Sequence, residues 1–197
     1  MPPRFVFKFK LRMAMSGSVR GASPYLFFRR AGLAALFSVF IAACSTAPAS
    51  LPLIAPSSSF GASHDVLVVT SRLPVNDLQQ RYGDGRAESL SYNDVAIWVP
   101  DNRNPGAVNY PSSTPDIQKE FAITGFQDLD RSSFSDALNE RLQLVGPSKT
   151  VFVFVHGYNV PYSNGVYRIG QLVADFEADA VPVHYSWPSE GHKLSYL

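Results

Sequence analysis

The chain has 197 residues, enough for one domain of ordinary size, and its balance of 46% apolar to 17% charged residues supports a packed core and excludes wholesale disorder. The formal net charge of +1 averages two unlike parts: residues 1–43 hold seven basic residues and no acidic one, whereas residues 44–197 hold the other ten basic residues against all 16 acidic ones, a net of −6. The second part has no basic stripe that could follow a phosphate backbone, which argues against nucleic acid as a partner.

Arg29-Arg30 precedes an uncharged run of 13 residues, Ala31 to Ala43, and positive charge followed by an apolar run and small residues is the order of an export signal. The run is short of the roughly 20 residues that a membrane-spanning helix needs. It ends Ile41-Ala42-Ala43-Cys44, which resembles the lipobox of bacterial lipoproteins. That resemblance implies a signal peptide over 1–43, cleavage before Cys44, a diacylglyceryl group on the Cys44 thiol and an acyl chain on its amine. The alternative is a small buried Cys in an ordinary helix. Cys44 is the only cysteine, so no intrachain disulfide can form. Met13 and Met15 are alternative starts, and a twin-arginine signal is a competing reading of Arg29-Arg30. Ser45 is not the acidic residue that marks inner-membrane retention in many such signals, so the expected address is the outer membrane, facing the periplasm. The expected membrane partner is the bilayer that holds the lipid. A minor alternative is an inner-membrane span over 25–43.

Residues 45–63, STAPASLPLIAPSSSFGAS, read with Cys44 as a flexible tether. The folded part is expected from His64, with a β-rich lead segment over 64–147 and an α/β core from 148 to 197. Val66 to Val69 is a buried-strand pattern closed by Arg72-Leu73-Pro74, and the polar stretch from Leu78 to Ser89 reads as a loop. Tyr92 to Val99 is a second strand, the Pro-rich stretch 101–118 a long surface loop, and Phe121 to Thr124 a short third strand. Phe134, Leu138, Leu142 and Val145 then fall on one helical face, with Ser133 and Asp136 fitting a capping box. Val151 to Val155 is an unbroken apolar run of the kind found in central parallel strands covered on both faces. A helix is expected from about Ser163 to Phe176 with Val166, Ile169, Leu172, Val173 and Phe176 facing inward, then a strand from Val181 to Tyr185. Strand, helix, strand, helix, strand predicts an α/β sheet.

The strongest chemical signal is VFVFVHGYN, residues 151–159: a buried strand followed at once by His156-Gly157-Tyr158-Asn159. Functional groups in open α/β sheets gather beyond the carboxyl ends of strands. Gly157 permits a sharp turn there, and the amide of Tyr158 can face a cavity. A backbone N–H so placed stabilises the oxyanion of a tetrahedral acyl intermediate by about 3–4 kcal/mol. VFVFVHGYNVPYSNGVYRIGQLVADF, then VPVHYSWPSEG, resembles bacterial esterase/lipase-like α/β hydrolases of unknown function, and VLVVTSRLP resembles their leading strand. The resemblance is firm over 151–191 and weaker from 66 upward. It implies a Ser-acid-His hydrolase acting on an ester-like or amide-like carbonyl, with Gly157 and Tyr158 in the oxyanion hole and a small ester-like substrate in the full-length form.

The nucleophile elbow G-x-S-x-G does not occur in this sequence. Ser148 precedes a strand, Ser163 reads as an N-cap, and Ser186 is followed by Trp187-Pro188, which does not start a tight turn into a helix. The triad order Ser, acid, His places all three members beyond Leu197. The expectation is therefore an incomplete α/β-hydrolase-like sheet with an uncovered strand edge, inactive as it stands. His156 reads as a structural brace of the oxyanion loop, because the triad His comes last in the chain. His64, His184 and His192 have no metal-ligand spacing, so neither a metal nor another cofactor is expected. Asp175, Glu177 and Asp179 read as a solvated rim, and Trp98 and Trp187 as packing residues. A non-catalytic envelope lipoprotein with a binding or structural role is the alternative.

Overall fold

The computed structural model describes residues 49–189 apart from 56, 58 and 178. The signal, Cys44, the start of the tether and His192 lie outside the described residues. Five strands and two helices follow in the order β1 (Gly61–Pro74), β2 (Tyr82–Pro100), β3 (Ala122–Leu129), α1 (Arg131–Leu144), β4 (Val151–Val155), α2 (Tyr162–Phe176) and β5 (Val181–Ser186). They form one mixed sheet in the order β3-β2-β1-β5-β4. β1, β2 and β3 are an antiparallel meander, and β1, β5 and β4 are parallel. This is the α/β-hydrolase-like sheet with a β-rich lead that the sequence predicts.

Each helix covers one face. Under α2, Val66, Val68, Val95, Ile97 and Phe121 pack with Tyr162, Val166, Tyr167 and Ile169. The helix lies close because Gly170 sits over Ile97, where an added Cβ would come within 2.7 Å of its methyl. Under α1, Leu67, Val181 and Val183 pack with Phe134, Leu138, Leu142 and Val145, the expected helical face. Of the face expected for α2, Phe176 is exposed and touches Phe152 by its ring edge.

Several local expectations are corrected. The loop expected over Leu78 to Ser89 is in part strand: β2 begins at Tyr82, and β1 and β2 extend as a ribbon with Arg72 opposite Arg86 and Pro74 opposite Tyr82. The ribbon is solvated over much of its length, so backbone pairing forms it without the apolar alternation that a sequence reading detects. The cap of α1 is Asp130, whose carboxylate accepts from the Ser133 amide at 2.7 Å. Pro161, not Ser163, is the cap residue of α2. The tether reading fails for 49–54: Leu51 is buried, its amide donates to Gln79 O, and Ile54 bonds to Ile123 O. Asp175 is not a solvated rim residue, since it pairs with Arg103 and accepts from the Gly106 amide. β4 is not central: it is an edge strand, with Val153 and Val155 exposed on the α1 side.

Candidate functional site

The parallel strands β1, β5 and β4 end side by side, and their carboxyl ends carry Thr70 to Arg72, Ser186 to Ser189, and His156 to Val160. Thr70 Oγ1 donates to Ser186 O at 2.8 Å and so ties the first two ends together. The His-Gly-Tyr-Asn turn follows β4 at once. Asn159 takes the left-handed conformation (φ 60°) that reverses the chain, a conformation asparagine tolerates better than most residues. Gly157 borders open space, with no atom within 4 Å of an added Cβ. Tyr158 is exposed, whereas His156 is buried.

The residue that joins the three ends is Arg72, which is fully buried. Its Nη2 donates to Val160 O at 2.6 Å, holding the far side of the turn. Nε donates to Ser186 Oγ at 3.0 Å. Nη1 reaches Gly83 O at 3.2 Å, the Asp84 carboxylate at 3.3 Å and Ser189 O at 3.5 Å. A buried guanidinium is costly unless its donors are all used, and here they are spread over several acceptors. Two further contacts close the loop: Val160 N donates to Ser189 Oγ at 3.2 Å, and Trp187 Nε1 donates to His156 O at 2.9 Å while its ring stacks on the imidazole at 5.3 Å.

The same contacts set the state of His156. Arg72 Nη2, which can only donate, lies 3.5 Å from His156 Nε2, so that nitrogen is the bare one. The proton is then on Nδ1, which donates to Gly157 O at 2.7 Å. Burial lowers the His156 pKa, the Arg72 charge lowers it further, and the backbone contacts at Gly157 and Trp187 oppose this only in part. Ser186 Oγ is 3.3 Å from His156 Nε2, a spacing that resembles a nucleophile and base. The chemistry differs: Ser186 is fully buried, accepts from Arg72, and shares its histidine with a cation and no carboxylate.

His184, one strand over, is also neutral. Burial pushes its pKa down to about 3. Its Nδ1 is 3.1 Å from Phe154 O and its ring stacks on Phe154. Among the described residues Nε2 has no hydrogen-bond partner, and it faces Gly165 of α2, where an added Cβ would come within 2.6 Å. Among the described residues no group of His, Cys, Asp and Glu could hold a metal ion. None of their helices is long and apolar enough to cross a membrane.

The structure thus brings His156, Gly157 and Tyr158 to the carboxyl end of the parallel strands, together with Trp187. The sequence reading missed Arg72, Ser186 and Ser189 as a unit. The available signal was an arginine three residues past an apolar run, after Thr70 and Ser71 in VLVVTSRLP. A larger cavity, of about 630 Å³, lies at the other end of β1 around His64, Arg103 and Asp175, away from the turn.

Residues 130–197, about a third of the chain, match a family model described as an alpha/beta hydrolase of unknown function (DUF900). No curated protein and no solved structure matches the chain. The matched segment runs from α1 through the turn and β5, so this end of the chain is an α/β-hydrolase-like domain that carries the turn and Ser186 to Ser189, while Arg72 on β1 lies outside it.

Proposed function

We propose that this chain is the amino-terminal, oxyanion-side part of a lipid-anchored serine hydrolase that cleaves small ester-like substrates. The observation that carries this reading is the His-Gly-Tyr-Asn turn at the carboxyl end of β4, fixed to β1 and β5 by Arg72 and Ser189. Fixed backbone donors need no reorganisation when charge develops on a carbonyl oxygen, and this is what makes an oxyanion hole effective. In this reading the Tyr158 and Gly157 amides are the donors, and His156 braces them without exchanging protons with substrate. The nucleophile, acid and triad histidine are supplied by sequence following Leu197. Cys44 carries the lipid, and the domain faces the periplasm from the outer membrane.

DNA following the Leu197 codon is expected to encode, in some frame, further strands, a Ser elbow, an acid and a His; absence of such a frame overturns the reading. The purified 197-residue chain is expected not to hydrolyse a short nitrophenyl ester and not to react with a fluorophosphonate. Labelling at Ser186 would place the nucleophile inside this chain instead. Metabolic labelling with an alkyne fatty acid is expected to mark the protein in its envelope and to fail in Cys44→Ser.

A further inference from the structure

A cavity of about 360 Å³ opens beside the turn, between α2, Phe154 and Val160. It is within the size range of ligand pockets. Its polar lining includes Tyr110, His156 and Asn159 and, one turn apart on α2, Asn164 and Arg168. Asn164 is 4% exposed, and its Oδ1 accepts from the Ala49 amide at 2.9 Å. That bond fixes which end of the amide is oxygen, and Nδ2 is left with no partner among the described residues. Arg168 spends one nitrogen, Nη1, on Gly106 O at 3.0 Å and Gln171 Oε1 at 2.8 Å. It forms no ion pair among the described residues. The cavity therefore offers a buried amide donor and a cation without a carboxylate, with an apolar wall of Phe154 and Val160 leading to Gly157.

From this we infer that the cavity is the acyl subsite and takes a short acyl chain ending in a free carboxylate, the acid end on Arg168 and Asn164 and the chain on Phe154. The inference rests on the hydrolase reading for its orientation toward Gly157. It adds that the substrates are esters of short dicarboxylic acids. Arg168 and Asn164 are then specificity-determining residues. A guanidinium edge and an amide donor match a carboxylate, and both bond the carbonyl of a neutral ester end more weakly.

The test is calorimetric titration of the 197-residue chain with monomethyl adipate, dimethyl adipate and acetate. The monoester is expected to bind with a Kd on the order of 1 mM, at least tenfold tighter than the diester or acetate. Arg168→Gln is expected to abolish that preference. Asn164→Asp keeps the acceptor for Ala49 but places a negative charge in the cavity, and is expected to lose the monoester while remaining folded by circular dichroism. Equal binding of monoester and diester, no monoester binding, or unchanged preference in both variants would overturn the inference. Binding is read without turnover, so these outcomes are separate from the hydrolase reading: a missing downstream frame leaves the binding result standing, and absent binding leaves the hydrolase reading with a different acyl preference.

Discussion

The loop ends beyond β1, β4 and β5 and the strand β4 itself reverse the usual rule of burial. Arg72, His156, Ser186 and Ser189 are polar and buried, whereas Val153 and Val155, in the most apolar run of the domain, are more than half exposed. Burial of the polar group is sustained by hydrogen bonds that reach residues 84 to 117 positions away. Exposure of the valines follows from position, since among the described residues β4 has a neighbour on one side only. Chemistry alone does not decide what is inside; partners do.

The sharpest way to break the contrast is Arg72→Met. Removal of the guanidinium strands the Val160 carbonyl, Ser186 Oγ and Ser189 O in a buried site, and a loss of about 3–5 kcal/mol is expected. Urea unfolding of the variant checks this. A loss below about 1 kcal/mol would mean that the three strand ends are held by other contacts.

Next is Gly165→Val, which drives a side chain into His184 and its neighbour His156. Overpacking of this kind costs about 1–3 kcal/mol. The double variant with His184→Ala is expected to recover part of the loss, because the ring that obstructs the new side chain is gone. Additive losses would show that the two residues do not meet.

Much of this was legible in the sequence, and the failures have physical causes. β4, β5 and both helices follow from local apolar period. The turn follows from His156-Gly157 directly after an apolar strand. The β2 stretch from Tyr82 to Ser89 was missed because paired backbone needs no apolar pattern where it is largely solvated. Arg72 was read as a strand terminator because its acceptors are distant in sequence, and a charge is buried only when such partners converge. The edge position of β4 among the described strands was not legible, because VFVFV alone resembles a central strand.

The pH dependence is a smaller effect that probes the same buried cluster. His184 and His156 have folded pKa values below the ordinary 6.5, His184 at about 3. Below about pH 6.5 the unfolded chain takes up protons at these two imidazoles more readily than the folded chain does. Stability therefore falls as pH drops from about 6.5 toward 3, by up to about 1.4 kcal/mol per pH unit for each imidazole that stays neutral. His184→Gln is expected to flatten this slope relative to the parent, as read from urea midpoints at pH 7, 6 and 5. An unchanged slope would mean that His184 protonates in the folded protein.

The smallest expected effect belongs to the exposed side of the comparison. Val153 and Val183 are register partners on neighbouring strands and lie on the same face of the sheet. Val153 is 57% exposed and Val183 only 9%. Lysine at 153 can extend its ammonium into water and keep its stem on the strand, so Val153→Lys is expected to change stability by no more than about 0.5 kcal/mol. Val183→Lys places the same charge beneath α1, among Leu67, Phe134 and Val181, where its desolvation is uncompensated, and the domain is expected to unfold or lose most of its stability. Both substitutions make the same chemical change on one face of two adjacent strands. If Val153→Lys instead costs more than about 1 kcal/mol in the 197-residue chain, the outer strand is covered in solution. The exposure of β4 would then reflect a missing neighbour and not a tolerated surface.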